Sequence, residues 1–549
     1  MLDLGTYHRI WKQEEVPPSR LPSSYPGWPA AGFALIGDFS GIQNFVFRPI
    51  PGAGGAARRL RSRSFRVSAY TEIISRWCLV QLAPYEARLL YSAGGRFLIG
   101  TPLFDCWEKT IEAMQASIDS WAWQNFEGEL AFHLAAATFE AGRIPYAPLT
   151  AALLSRRKVA LKYALQVSDD WSSEVFFRPA SPGEGQCVAC GITQRLHSTS
   201  DGETICDDCE SDERIGKMLA SANVARFSTD PTSSVNALNL GVELYPHPQQ
   251  GMDGEWLSLG DMGAAHSWFL LHHVPKENGH ALDFDALSDK APGSRKWLGY
   301  LRIDVDHAGE NFRRLQGDPL RTWALSRFLN TFLGGRANEI LAAKYRYVYA
   351  VFGGGDDLFV IGPWSDLLDF ALELRADLRA ITSEDLSFSA GLSLAKPREH
   401  ILTQARFAGE ELEQAKEQLS FGRDVSRDQI RALGTTMDWK NFDELLATAK
   451  QVKTWQEEGL LPSSFLHQAL RLHHDWSLAL RKPHDQRRRL GSYRYKPLLY
   501  YQIQRNLKAS PAKEWAHALL RSPSQWPWLD FIIRYSVLAA ERGSDRGEE

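Results

Sequence analysis

Cysteine is scarce in this chain, with six residues among 549, too few to staple a protein of this length into a disulfide scaffold. No apolar run approaches the length needed to span a bilayer. Met1 to Arg20 lacks a basic-then-apolar signal pattern, so the chain is expected to stay in the cytoplasm, away from membranes. Basic excess is missing too. The formal net charge is −4, whereas a free-standing nucleic-acid binder is usually basic. If the protein works on RNA, partners or local patches must supply the positive surface. What remains is an ordinary globular composition, 44% hydrophobic and 23% charged, over a length that calls for roughly three or four domains.

Residues 1–30 read as a leader, Pro- and Ser-rich from Val16 to Pro29. Phe33-Ala-Leu-Ile36 is a buried-strand pattern ending in a turn at Gly37 to Gln43, and a helix is expected from Ala56 to Leu82. Arg88 to Gly100 reads as strand, glycine turn, strand. Helix Asp105 to Ala122 and strand Glu129 to Thr138 complete a first α/β unit, assigned to 31–175. A cysteine module and a poorly patterned connection occupy 176–295. A second α/β unit, 296–436, starts with the apolar strand Trp297 to Val305. A hairpin follows, Tyr347 to Phe352 and Leu358 to Ile361, joined by glycines and two aspartates. Helices Asp366 to Ala380 and Ile401 to Leu419 flank a strand from Leu386 to Leu394. From 437 to 549 strand signals vanish and a helical domain is expected. The two α/β units share a layout, with Asp38 and Gly94-Gly95 answering Asp304 and Gly354-Gly355, which points to internal duplication.

Gly354-Gly355-Asp356-Asp357 sits between two β-like runs, and Asp304-Val305-Asp306 ends an earlier strand. Nucleotidyl transfer needs carboxylates that hold two divalent ions, one activating the attacking hydroxyl and one neutralising the leaving group. Hard ions such as Mg²⁺ or Mn²⁺ take carboxylate oxygens. Asp304, Asp356 and Asp357 are therefore the candidate catalytic residues and metal ligands. The glycines leave room for a nucleotide against the backbone. Glycine and aspartate are also ordinary turn residues, so the pairing with Asp304 carries the argument. Lys416 is a candidate contact to a triphosphate, or else a solvated helix lysine beside Glu413 and Glu417.

Cys187-Val-Ala-Cys190 and Cys206-Asp-Asp-Cys209 are two Cys-x-x-Cys knuckles at the spacing of a closed, structural Zn²⁺ site. Cys78 and Cys106 read as core thiols. Arg58, Arg59, Arg61, Arg63 and Arg66 crowd one stretch, and Arg487, Arg488, Arg489, Arg494 and Lys496 crowd another beside Tyr493 and Tyr495. Both groups suit RNA phosphates or a solvated, subunit-facing surface. Trp455 and Trp476, at helical spacing, are expected in the core.

The motifs in this order resemble the large, polymerase-like subunit of type III CRISPR complexes, most closely the III-A (Csm) branch. They are Ser40-Gly-Ile-Gln-Asn-Phe-Val-Phe47, Leu60-Arg-Ser-Arg-Ser-Phe65, Tyr91-Ser-Ala-Gly-Gly95, the four-cysteine module, Asp304-Val-Asp306, Gly354-Gly-Asp-Asp357, Ser389-Ala-Gly391, Ala415-Lys416 and Tyr500-Tyr-x-x-x-Arg505-Asn506. The resemblance implies an α+β multidomain fold with two ferredoxin-like palms of the GGDEF and nucleotide-cyclase type, a zinc module and a helical C-terminal domain. It implies that ATP, bound between the palms, is joined 3′–5′ into cyclic oligoadenylates when target RNA binds the complex. Ser40, Gly41, Gly94 and Gly95 would line the nucleotide pocket of a non-catalytic first palm, with Asp306, Gly354, Gly355, Ser389 and Lys416 on the second. Other complex subunits, guide RNA and target RNA are the implied partners. Relatives often begin with an HD nuclease domain. Here Met1 to Ala30 precede the first palm without a His-Asp metal site, so no single-stranded DNase activity is expected. His474-Asp475 and His484-Asp485 lie in the helical tail, where surface or packing roles are expected. His307 stands where relatives commonly carry Asn. The rivals are a GGDEF-type dinucleotide cyclase and a non-catalytic scaffold subunit.

Overall fold

Strand Gly32–Ser40 runs through the middle of a four-stranded antiparallel sheet, with Arg96–Thr101 on one side and Ala131–Phe139 on the other. Arg88–Ala93 pairs outside Arg96–Thr101. The helices Ala56–Gln81 and Trp107–Phe126 fill the two crossovers of this βαββαβ unit. Phe33 and Leu35 pack with those helices in one core cluster, while Ala34 and Ile36 belong to a second cluster that includes the other palm. A strand buried on both faces explains the uninterrupted apolar run.

These relationships come from a computed structural model that describes residues 3–12, 21–48, 55–162, 185–192, 195–199, 202–262, 266–480, 494–521 and 525–540. In the second unit, Tyr349–Gly354, Asp357–Pro363, Leu298–Val305 and Phe388–Ala395 lie side by side in the same order as in the first. The matching order extends the duplication pattern from two motifs to a whole sheet. Gln429–Ala432 and Thr435–Asp438 extend the second sheet beyond the shared four strands, the former parallel to Phe388–Ala395. The poorly patterned stretch after the cysteines forms a five-stranded sheet of short strands. Its pieces, such as Val235–Ala237 and Ser267–Trp268, are too brief to show a period.

The leader holds a helix, Leu4–Lys12, that sequence reading did not anticipate. Tyr7 is fully buried and meets Trp323 edge-on at 5.5 Å. Trp323 belongs to the helix Pro319–Asn330, capped by Asp318 and continued through a π-turn at Thr331–Arg336 into Ala337–Lys344. The C-terminal part is helical from Trp439 to Ala539 among the described residues. Tyr535 packs edge-on against Trp364 at 4.9 Å and joins it to the second palm. Trp455 and Trp476 are partly buried against this core. His474 and Asp475 are exposed on the helix Ser463–Leu480, whereas His484 and Asp485 fall outside the described residues. No helix among the described residues is long and apolar enough to cross a membrane.

Candidate functional site

Antiparallel pairing sets Asp304 directly opposite Asp357 on one side and Ser389 on the other. Asp356 precedes Asp357 at the hairpin turn, so three carboxylates meet at one end of the second sheet. Burial and the neighbouring Asp356 and Asp357 charges push the Asp304 carboxyl up to about 6, against the pull of Lys416. Asp357 is raised as well, by burial first, with Arg302 opposing. Lys416 Nζ lies 3.0 Å from Asp304 Oδ2, and Arg302 Nη2 donates to Asp357 Oδ2 at 2.8 Å. The second carboxylate oxygen of Asp357 is buried without a hydrogen-bond partner among the described residues. Asp304 and Asp357 are each paired with a cation, and among the described residues the three aspartates are not gathered as tightly as the cysteines. Their donor set, all carboxylate oxygen with one orphaned, fits a hard divalent cation. Arg302 was missed from sequence, although it precedes Asp304 by two positions and so shares its face of the strand.

The hairpin borders a cavity of about 290 Å³ between the palms, lined by Gly354, Asp356 and Asp357 from one and by Ile42, Gln43, Gly94 and Gly95 from the other. Gly355 caps the tip. Among the linings that were missed are Asn330 at the start of the π-turn, and Trp268 and Phe269 from the connecting region. A Cβ on Gly354 would come within 2.9 Å of Asn330 Oδ1, so glycine is what lets that side chain approach. π-turns recur at functional sites, but none is visible in a periodic apolar pattern.

Other sequence candidates sit behind this cavity. Ser40 hydrogen-bonds His133 Nε2 at 2.7 Å. Gly41 caps the short helix Ile42–Val46 that reaches the lining. Asp306 is 2% exposed and accepts from Ser389 Oγ, Ser387 Oγ and the Asp428 amide at 2.8, 2.8 and 2.9 Å. Asp306 and Ser389 thus bind each other and a following loop, and neither borders the cavity. Lys416 is committed to Asp304 and Glu413, both at 3.0 Å.

In the first palm, register pairs Asp38 with Arg96 where the second palm pairs Asp304 with Asp357. Arg96 Nε donates to Asp38 Oδ1 at 2.8 Å, and Arg157 holds the other oxygen. Guanidinium groups therefore neutralise the aspartate that its counterpart leaves beside further carboxylates.

Cys187, Cys190, Cys206 and Cys209 are buried, with all four sulfur atoms within 4.8 Å of one another. A compact, closed sulfur set of this kind fits tetrahedral Zn²⁺. Arg63 Nη2 donates to Cys209 Sγ at 3.4 Å, giving the thiolates a fixed positive neighbour. Asp212, on the helix that starts at Asp207, accepts from Arg63 Nε at 2.7 Å and Arg66 Nη1 at 3.1 Å. Arg63 and Arg66 are thus structural ties to the cysteine module, not part of a solvated RNA face. Arg487, Arg488, Arg489 and Tyr493 of the second basic cluster lie outside the described residues. Cys78 is buried as expected, but Cys106 is exposed at a helix start with φ of 61°.

Comparison with known proteins bears on the same regions. Residues 297–425 match the model of the Cas10/Cmr2 second palm domain, and residues 33–166 that of the Csm1 subunit domain B. A Thermococcus onnurineus protein named CRISPR system single-strand-specific deoxyribonuclease Cas10/Csm1 (subtype III-A) is 27% identical over 76% of this chain and 58% of its own length. A Mycobacterium tuberculosis protein of the same name is 26% identical over 69% of this chain and 52% of its own. The chain thus spans little more than half the length of these relatives. Among solved structures, a Csm1-Csm4 cassette in complex with cA3 superposes with a TM-score of 0.67 at 20% identity, covering 93% of this chain and 70% of that one. A cassette in complex with AMPPNP superposes at 0.65 and 20% identity, covering 92% and 70%.

Proposed function

The chain belongs to the Cas10/Csm1 family of subtype III-A CRISPR subunits, and on that premise we propose that its paired palms join ATP into 3′–5′ cyclic oligoadenylates. The observation that carries the reading is that Asp356 and Asp357 line a cavity whose far wall is the glycine turn of the other palm, with Asp304, which does not itself line it, paired opposite Asp357. Solved neighbours of this fold are complexes with AMPPNP, pppApA and cA3, a substrate analogue, a linear dimer and a cyclic adenylate.

Asp304, Asp356 and Asp357 would hold Mg²⁺ or Mn²⁺, which when bound supplies an activated hydroxyl and charge neutralisation at the leaving group. In each step the 3′-oxygen of one adenylate bonds to the α-phosphorus of another, and the bond to the departing pyrophosphate breaks. Lys416 and Arg302 hold Asp304 and Asp357 in ion pairs and oppose the burial that raises both carboxyls. Gly94 and Gly95 let backbone stand close to a base or ribose, and Ser40, fixed by His133, steadies the turn beneath them. The first palm, whose Asp38 is taken by Arg96 and Arg157, binds nucleotide without catalysing. Asp306 and Ser389 shape the strand ends and do not touch ATP. The cysteine set holds a structural Zn²⁺. A Csm4-like subunit, guide RNA and target RNA complete the working assembly, which acts in the cytoplasm.

Labelled ATP incubated with Mg²⁺ or Mn²⁺ tests this, using the chain alone and in a reconstituted complex with target RNA. Cyclic adenylates that vanish in Asp356→Ala/Asp357→Ala support the reading. No product from a complex shown to bind its target would instead make the chain a scaffold, and GTP turnover in place of ATP would make it a dinucleotide cyclase.

A further inference from the structure

A second cavity, of about 960 Å³, lies away from the carboxylates. Its walls come from the start of the helix Ala56–Gln81, the end of the cysteine-module helix, the hairpin at Lys276–Ala281 and the start of the helix Ile401–Glu417. Four features of different origin converge there. Arg61 is 4% exposed, yet its Nε and Nη1 have no hydrogen-bond partner among the described residues. Its guanidinium rests against the ring of Tyr349 at 5.2 Å, which offsets only part of the cost of burying a charge. His400 lines the same cavity with a buried Nδ1 that is also unpartnered. Both long helices begin here, at Gly55 and His400, without a side-chain cap among the described residues, so their first-turn amides and positive ends border the space. Around the rim stand Arg58, Lys217 and Lys276, none with an ion pair among the described residues.

Three carboxylates also border the cavity, and two are already engaged. Asp283 caps the Ala286 amide, and Asp285 pairs with Arg398. Glu399 is the third, and basic side chains outnumber the acids. A buried guanidinium without a counter-ion, two uncapped helix starts and a basic rim are complementary to one kind of ligand, an anion rich in acceptor oxygens.

We propose that this cavity is a phosphate-binding site, separate from the space between the palms, with Arg61 as its central ligand. The phosphate comes either from an RNA backbone or from a free nucleotide polyphosphate. The site rests on none of the palm carboxylates, so it stands or falls independently of cyclase activity.

Calorimetric titration of the full chain with pyrophosphate, at low salt and without added Mg²⁺ or Mn²⁺, tests it. Omitting the divalent ions leaves the acidic palm site repulsive to phosphate. Saturable binding is expected, weakened about tenfold or more by Arg61→Gln, as for loss of a buried charge-assisted contact. Lys217→Ala/Lys276→Ala changes exposed residues only and should weaken it about threefold, so the test survives if Arg61→Gln fails to fold. Displacement of pyrophosphate by a single-stranded RNA oligonucleotide, with a salt dependence that shrinks in the rim variant, assigns the phosphate to RNA. Displacement by ADP but not by RNA assigns it to a nucleotide. No binding by the wild-type chain, or equal affinity in both folded variants, overturns the proposal.

Discussion

Gly94 and Gly355 face each other across the two palms: a Cβ built on Gly94 would lie 3.8 Å from the Gly355 α-carbon, and the reverse distance is 3.7 Å. Both adopt positive φ, 60° and 63°, at the tips of equivalent hairpins. The duplicated units therefore meet tip to tip, and the cavity is what remains beside that contact. A single added carbon is sterically tolerable there, while the left-handed backbone costs about 1 kcal/mol for any other residue. A branched side chain meets the opposing backbone. Gly94→Val and Gly355→Val should each cut adenylate synthesis about tenfold or more, since misplacing the reacting groups by about 1 Å can cost a hundredfold. Alanine at either position should cost far less. ATP turnover in the reconstituted complex reads this, with circular dichroism as the folding check. Equal losses for alanine and valine would show that backbone strain, not palm spacing, is what matters.

The two cation–carboxylate pairs of the acidic site make a separable prediction. Arg302 opposes the burial that raises the Asp357 carboxyl, as Lys416 does for Asp304. Arg302→Met should raise the Mg²⁺ concentration needed for half-maximal turnover by about 10–100-fold, the range for groups that orient metal ligands. Saturating Mn²⁺ should recover much of the rate. Asp357→Asn should lose about a thousandfold that no metal concentration restores. A metal titration of both variants distinguishes a positioning residue from a ligand.

Asp212 is 1% exposed and serves Ser62, Arg63 and Arg66 at once. Asp212→Ala leaves two guanidinium groups buried without their carboxylate and should cost about 3–5 kcal/mol. Arg63→Met/Asp212→Leu should cost less than the single change, because it removes a charge along with its partner. Denaturant midpoints for the two variants check the order.

Zinc content is a direct measurement on the purified chain. One Zn²⁺ per chain is expected, and Cys206→Ser should lose it and open the segment around residues 185–219 to limited proteolysis. The helix Asp207–Leu219 carries both Cys209 and Asp212, so metal loss should also loosen its packing on Ala56–Gln81. A full-length, metal-free chain that resists cleavage there would make the four cysteines a packed thiol cluster.

Strand and hairpin positions were legible because both palms bury strands on two faces, and such runs stand out whatever surrounds them, whereas the order of the strands within each sheet was not read from sequence. The carboxylate trio and the cysteines were legible as local motifs. The N-terminal helix was not, because only nine residues form it and its partner, Trp323, lies more than three hundred positions away. Asp306 shows what a local motif leaves out. It shares the Asp-x-Asp motif with Asp304, yet its carboxylate turns to Ser387, Ser389 and the Asp428 amide. Motif spacing cannot reveal that, since the competing donors come from another strand and from a loop well beyond it. The arginine cluster was visible, but its meaning depended on Asp212, which nothing local marks as its partner.

His133 yields a pH prediction that involves none of the metal-ligand candidates. It is 1% exposed, and burial first, then the Arg157 charge, brings its imidazole from 6.5 down to about 4. Asp38 opposes the shift and is itself bound by Arg96 and Arg157. A depressed value means that the unfolded chain takes up a proton before the folded one does. Folding is therefore favoured in full above pH 6.5, and this contribution falls away as pH drops through about 4. His133→Gln cannot titrate. Urea midpoints measured across that range should fall steeply for the wild-type chain and less steeply for His133→Gln. Parallel curves would mean that the buried imidazole protonates as freely in the fold as out of it.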